Sequence, residues 1–430
     1  MENLPQSLPI TAELLGLTDI EITAIKHSSN NEIIIEAMST KKEILCHKCG
    51  KQCNIHGKGQ KLKLRHLPIL GKKTFIEITP PRGICPHCDD NPTTTQTLSW
   101  YDRNGRYTKN YEQTVLFALI NSTIADVCIR EELGEHAIQN IVDKYIDSKV
   151  NWKEFKRLGI IGIDEISLKK GHQDFVTIIT SRHEEQIRIL AVIKGRDKAE
   201  IKAFLSSIPK NKRKTVIAVC SDMYDGFINA AKEVFGKEVM IVVDRFHVAK
   251  LYRKCLVELR KKELSRLRRT LSAEEYKTLK LAIAILVKNS EFIAEKDKIE
   301  LDKLFKHSPL LKVAYKFCRK LTHIFNTKHK NVTANIKIDE WIDSVEGSEL
   351  NCFNTFISTL KKYKNEITNY FVQRHNSGYV EGFNNKIKVI KRRCYGIFNI
   401  KHLFQRIFLD TVGYNIFNIN QGLSACAMPT

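Results

Sequence analysis

Between residues 158 and 250 lie five short β-rich runs, "RLGIIGID", "DFVTIIT", "IRILAVI", "TVIAVCSD" and "EVMIVVD", and a sheet is the only economical way to bury them. The first three follow one another in quick succession, which predicts an antiparallel meander. The last three are separated by amphipathic helical segments, "AEIKAFLSSI" and "YDGFINAAKEVF", the pattern of strands joined by helical crossovers. The core of the chain is therefore expected to be a mixed α/β sheet.

Three of these runs end in an aspartate: Asp164, Asp222 and Asp244. Catalytic and ligand groups of α/β sheets gather at strand ends, where a side chain leaves the core while its backbone stays fixed. A single Asp there is usually a turn former or a helix cap. Three in one sheet invite a chemical reading, because neighbouring carboxylates repel and raise each other's pKa, and divalent cations bound through hard oxygen ligands relieve that repulsion. Two Mg²⁺ or Mn²⁺ ions roughly 3.5–4 Å apart activate an attacking oxygen and stabilise a leaving one in an in-line displacement at phosphorus.

A third carboxylate completes such a site, and Glu381 in "GYVEGFNNKIKVIKRRCY" is the candidate. On a helix, Val380, Phe383, Ile387, Ile390 and Cys394 form an apolar stripe suited to docking on the sheet. Glu381 lies on an adjoining face with Asn385, Lys388 and Arg392. Lys386, Lys388, Lys391, Arg392 and Arg393 are candidates for holding a phosphate backbone. A Glu near a helix start is also favoured by the macrodipole alone, and both readings stay open.

The cysteines make a second constellation. Of twelve, five lie between residues 46 and 88, and "CHKCG" (Cys46, Cys49) and "CPHC" (Cys85, Cys88) form two C-x-x-C knuckles. Four thiolates so paired close a tetrahedral structural Zn²⁺ site; the alternative is a redox-active or merely buried thiol set. Next, "YEQTVLFALINSTIADVCIREELGEHAIQNIVDKYID" is apolar at helical spacing and broken at Ser122-Thr123 and Gly134. It is similar to a helix-turn-helix with "EHAIQNIVDKYI" as the recognition helix, although a plain three-helix linker would share the pattern.

Charge narrows the partner class. A formal net charge of +22 over 430 residues favours polyanions, and the cations cluster: residues 250–270 hold nine Lys/Arg against two Glu, and residues 376–406 hold seven against Glu381. The N-terminus has no basic segment followed by an apolar core, and no stretch approaches the roughly 20 apolar residues of a membrane span, so a cytoplasmic protein without membrane partners is expected.

With these features in place, the stretches "GIDEISLKKGHQDFVTIIT", "SDMYDGFINAAKEVFG", "VVDRFHVAKLYRK", "SGYVEGFNNKIKVIKRRCYGIFNIKHLFQRI" and "ILCHKCGK…LRHLPILGKK…RGICPHC" resemble the transposases of bacterial insertion sequences of the ISL-three family. The resemblance implies a multidomain α/β chain. A zinc-binding DNA-binding domain would occupy 1–100 and a helix-turn-helix domain 101–152. A ribonuclease H-like core over 153–249 would be interrupted by an all-helical insertion over 250–372 and completed by final helices over 373–430. It further implies a DDE mechanism with Asp164, Asp222 and Glu381 holding the catalytic Mg²⁺ or Mn²⁺, and a structural Zn²⁺ on Cys46, Cys49, Cys85 and Cys88. Asp244 and His247 fit a D-x-x-H signature beside the triad. There His247 either orients a scissile phosphate or nearby backbone, or is simply a satisfied helix-start histidine. The implied partner is double-stranded DNA, both transposon ends and target, bound by a dimer or higher oligomer in the cytoplasm in association with the nucleoid. The alternatives are a DNA-binding regulator with an inactive core, and a ribonuclease H-like nuclease that does not join strands.

Overall fold

In the computed structural model the five β-rich runs pair into one sheet of order β10-β9-β8-β11-β12. The structure describes residues 10–168, 174–184, 186–286, 294–373 and 378–417. Strands β8 (Gly159–Ser167), β9 (Phe175–His183) and β10 (Gln186–Lys194) form the expected antiparallel meander. Strands β11 (Val216–Ser221) and β12 (Met240–Val243) run parallel to β8. Helices that make the parallel crossovers, α4 (Lys198–Ser207) and α6 (Asp225–Phe235), pack on each other over the sheet. A short helix, α5 (Lys210–Arg213), precedes β11. Central placement explains the composition of β8, whose first five residues are buried on both faces and read as an unbroken apolar run. That strand starts at Gly159 with φ +65°, where a Cβ would lie 2.3 Å from the carbonyl oxygen of Arg182, so the tight entry into the sheet requires glycine.

The chain divides into two compact units, one of residues up to Ile146 together with the segment from Leu409, the other Asp147–Phe408. In the first, β1 (Ile20–His27), β2 (Ile33–Ser39), β5 (Lys72–Ile78) and β4 (Leu62–Ile69) form a four-stranded sheet over a core of Ile35, Leu64, Ile76 and Trp100. A smaller sheet of β3 (Asn54–Lys58), β6 (Pro81–Ile84) and β7 (Thr93–Thr95) carries the cysteine knuckles at its margin. Then come α1 (Lys109–Leu119), α2 (Ile124–Glu131) and α3 (Glu135–Tyr145). The break read at Ser122-Thr123 is an N-cap: Thr123 and Asp126 form a reciprocal capping box at the start of α2.

In the second unit the elements after β12 are all helices among the described residues. The helices are α7 (Arg245–Thr270), α8 (Ala273–Thr278), α9 (Lys280–Ile285), α10 (Glu295–His307), α11 (Pro309–Asn326), α12 (Asn331–Glu346), α13 (Asn354–Lys362), α14 (Lys364–Thr368) and α15 (Tyr370–Gln373). They share one apolar core with the sheet, and Asn369 donates to the Ile241 carbonyl of β12 at 2.9 Å. Helix α16 (Gly378–Arg393) returns to the sheet, and α17 (Ile400–Phe417) follows. Among the described residues no helix is long and apolar enough to cross a membrane.

Candidate active site and zinc centre

Parallel pairing sets the aspartates side by side. Ser221 of β11 is in register with Ile163 of β8 and with Val243 of β12, so Asp164, Asp222 and Asp244 stand at one level on three adjacent strands. Asp222 and Asp244 directly follow β11 and β12, whereas Asp164 lies within β8 rather than at its end, because pairing with β9 carries the strand on to Ser167. The three do not play the same part. Asp244 is buried and caps α7, accepting from the Phe246 N–H at 2.8 Å. Asp164 and Asp222 are half-buried.

His247, in the first turn of α7, is drawn into the row. Its Nδ1 lies 2.5 Å from Asp222 Oδ1 and 3.4 Å from Asp244 Oδ2. One ligand atom each from Asp164, Asp222 and His247 lie within 4.8 Å of one another. Burial and the adjacent Asp222 charge push Asp164 up to about 7. Burial alone would lower His247, but the Asp222 and Asp244 carboxylates outweigh it and push the imidazole up to about 10. An imidazolium therefore supplies the counter-charge that these carboxylates demand when no other cation is present. Two converging carboxylates, one of them reluctant to ionise, are a donor set that fits a divalent cation.

Helix α16 closes one side of the site. Phe383, Ile387 and Ile390 are buried against Ile166, Leu168, Val176 and Ile178, so the apolar stripe does dock on the sheet. Two polar residues on one flank of that stripe, seven positions apart, grip β8. The Asn384 side-chain amide donates to Asp164 Oδ2, and Lys391 Nζ donates to the Ser167 carbonyl at 2.7 Å. Asn384, 5% exposed, was not singled out from the sequence; its only sign was its place beside the stripe, one turn after Glu381. Glu381 and Val380 belong to α16 by their backbone, but their side chains lie outside the described residues. Of the candidate phosphate contacts, Lys386, Lys388 and Arg392 are exposed, Arg393 is half-buried, and Lys391 is occupied at the end of β8.

In the first unit, the Sγ atoms of Cys46 and Cys88 are 4.0 Å apart, those of Cys49 and Cys85 3.5 Å, and those of Cys85 and Cys88 3.7 Å. A tetrahedral zinc with Zn–S bonds of about 2.3 Å has sulfur–sulfur edges of about 3.8 Å, so the cage has the size zinc needs. In each knuckle a backbone N–H points at sulfur, from Lys48 to Cys46 and from His87 to Cys85, both at 3.4 Å. The Cys49 backbone N–H leads in pulling the Cys46 thiol down to about 6, whereas the neighbouring Cys49 and burial hold Cys88 up at about 12. Four thiols this close cannot all ionise without a cation among them.

Family comparisons follow the same division. Residues 161–407 match the family model described as "Transposase", residues 96–146 the "Helix-turn-helix domain of transposase family ISL3", and residues 42–88 the "zinc-finger of transposase IS204/IS1001/IS1096/IS1165". The chain belongs to the ISL3 family of transposases. This ISL3 transposase is 26% identical over 369 residues to the transposase for insertion sequence element IS1001 of Bordetella parapertussis, covering 86% of this chain and 89% of that one. It is 23% identical over 390 residues to the transposase for insertion sequence element IS1557 of Mycobacterium tuberculosis, covering 86% of each. It is thus an insertion-sequence transposase with an α/β catalytic domain, a helix-turn-helix DNA-binding domain and a four-cysteine zinc ribbon.

Proposed function

We propose that Asp164, Asp222 and Glu381 are the three catalytic acids of a DDE centre that cleaves the ends of the element and joins them to target DNA. The carrying observation is the convergence of Asp164, within β8, and Asp222, directly after the register-matched end of β11. The contact of Asn384 with Asp164 supports Glu381 as the third acid, because it docks the turn after Glu381 on the strand that carries the first. The order of the sheet, a meander followed by two parallel strands, supports a ribonuclease H-like core in which residues 250–372 are a helical insertion.

Bound between these carboxylates, two Mg²⁺ or Mn²⁺ ions would supply Lewis-acid activation of the attacking oxygen and charge stabilisation at the leaving one. The chain itself supplies the rest. Asp164 and Asp222 hold their oxygens at fixed separation because Asp164 is paired with Ile178 of β9 inside β8 and Asp222 directly follows the end of β11, which is paired with β8. Asn384 fixes the rotamer of Asp164, and Asp244 together with Asp222 orients His247. Exposed Lys386, Lys388 and Arg392 on α16 attract the phosphate backbone, and the zinc ribbon and α3 read the terminal inverted repeats. Joining two ends requires that two catalytic centres meet, so the active form is a homodimer or higher oligomer assembled on DNA.

Asp164→Asn, Asp222→Asn and Glu381→Gln should each abolish Mg²⁺-dependent cleavage of duplexes carrying the element's ends, while end binding stays within about twofold, since removing a single charge away from the DNA-reading domains is a small perturbation. Cleavage that survives one of these changes removes that residue from the triad, and cleavage without joining would make the protein a nuclease.

A further inference from the structure

Helix α7 starts in the acidic site and runs away from it. Its N-cap is Asp244, His247 lies in its first turn, and it continues for 26 residues, roughly 39 Å at 1.5 Å per residue. It carries ten Lys/Arg against Glu258 and Glu263. Val248, Tyr252, Leu256 and Leu267 are buried on one side. On the opposite side Lys250, Lys254, Lys261 and Arg268 are exposed and fall within about 40° of one another around the axis.

Little neutralises this row. Lys261 pairs with exposed Glu258 at 2.9 Å, while Lys250, Lys254 and Arg268 make no ion pair among the described residues. The contrast with α10 is direct: its Lys298 and Lys303 are matched by Glu295 and Glu300 one turn away, the mixed pattern of an ordinary solvated face. The helix macrodipole accounts for cations in the last turn, such as Arg268, but not for Lys250, Lys254 or Lys261.

The row is also held straight. Helix α11 lies antiparallel along α7. Arg245 reaches Tyr370 at 3.2 Å and Asn326 at one end, Tyr252 meets Thr322 at 2.8 Å in the middle, and Arg266 donates to the His307 carbonyl at 2.9 Å at the other. From Lys250 to Arg268 is eighteen residues, roughly 27 Å, the length of about eight base pairs at 3.4 Å each.

We propose that Lys250, Lys254, Lys261 and Arg268 form a track for the phosphate backbone of duplex DNA, gripping the segment that leads out of the acidic site. The proposal rests on the reading of Asp164 and Asp222 as the cleavage centre for its location, but not for its electrostatics. Contacts to phosphate carry no sequence information, so the track positions DNA that the helix-turn-helix and zinc ribbon have already selected.

The test is the salt dependence of binding by the full zinc-loaded chain, with magnesium omitted so that no chemistry intervenes. The probes are end duplexes extended on the element side, on the flanking side, or on both. Each phosphate neutralised contributes about 0.9 to the slope of log affinity against log salt. The variant K250Q/K254Q/K261Q/R268Q should lose about 3 to 4 units of slope, whereas K250R/K254R/K261R should keep the wild-type slope. Removing the extension that lies on α7 should erase the difference between wild type and variant, and the arm on which that happens names the DNA held there. Should the fourfold variant melt earlier than wild type, K250Q/K254Q replaces it, with an expected loss of about 1.8 units. A wild-type slope on every duplex overturns the track. Because no cleavage is read, an Asp164→Asn variant that still cleaves would overturn the catalytic assignment without touching this result.

Discussion

Asn384 of α16 donates its side-chain amide to the carboxylate of Asp164, 220 positions earlier in the chain. That bond ties the last core helix to the first candidate acid and holds one Asp164 oxygen in place, while the other accepts from the Glu165 N–H at 2.6 Å. Replacing Asn384 by Asp sets a second carboxylate against a group already held up at about 7 by burial and Asp222. Like charges raise a carboxyl pKa further, and its proton must leave before a divalent cation binds. Activity should therefore fall as pH drops through about 7 in the wild type, and the acidic limb should move to higher pH in Asn384→Asp. A pH profile of Mg²⁺-dependent cleavage measures both, and coincident profiles would show that Asn384 does not act through Asp164.

Docking of α16 depends on a small apolar contact set. Ile387 is 1% exposed and packs among Ile166, Val176 and Ile178 at the sheet. Ile387→Ala removes buried methyl groups and leaves a cavity, a change that costs about 2–5 kcal/mol in protein cores. Chemical denaturation should show a loss in that range, together with reduced cleavage as the helix loosens from β8. An unchanged unfolding midpoint would mean that α16 is held by other contacts.

Local patterns were legible and long-range polar contacts were not. The meander and the crossovers could be read because β-rich runs and amphipathic periods are local signals, and an Asp directly after such a run is visible in one line of sequence. The stripe Phe383, Ile387 and Ile390 was readable for the same reason. Asn384 was not, because nothing local separates it from exposed Asn385; only the angle at which α16 meets β8 turns one towards Asp164. Lys391 illustrates the reverse limit. It belongs to a run of cations, yet its long stem lets the ammonium reach back to the Ser167 carbonyl, and burial lowers its pKa. The family resemblance placed His247 beside the acids, but its 2.5 Å approach to Asp222 follows from the register of β11 and β12.

Zinc should be inseparable from the fold of the ribbon. The cluster of Ile44, Cys46, Cys53 and Cys85 is too small to form a core by itself, so ligation has to hold β3, β6 and the two knuckles together. Cys46→Ser combined with Cys85→Ser is expected to abolish stoichiometric zinc by mass spectrometry and to weaken end binding on the order of tenfold, about 1.4 kcal/mol. Retention of one zinc per chain in that variant would move the site elsewhere.

His66 makes the first unit sensitive to acid. It is buried in β4, with Nδ1 2.9 Å from Thr108 Oγ1 and Nε2 3.1 Å from the Leu15 carbonyl, and Thr108 is the N-cap of α1. Burial lowers its pKa below the ordinary 6.5, with the Leu15 carbonyl opposing. A histidine with a lowered folded pKa binds fewer protons folded than unfolded, so its contribution is fully present above pH 6.5 and is lost as pH falls towards the folded value. Each unit of depression is worth about 1.4 kcal/mol. Thermal melts from pH 8 to pH 5 should show the N-terminal transition moving down below about pH 6.5, and His66→Gln, which cannot titrate, should flatten that dependence at the cost of a lower melting temperature at pH 8. A pH dependence identical in wild type and His66→Gln would assign the acid sensitivity to other groups.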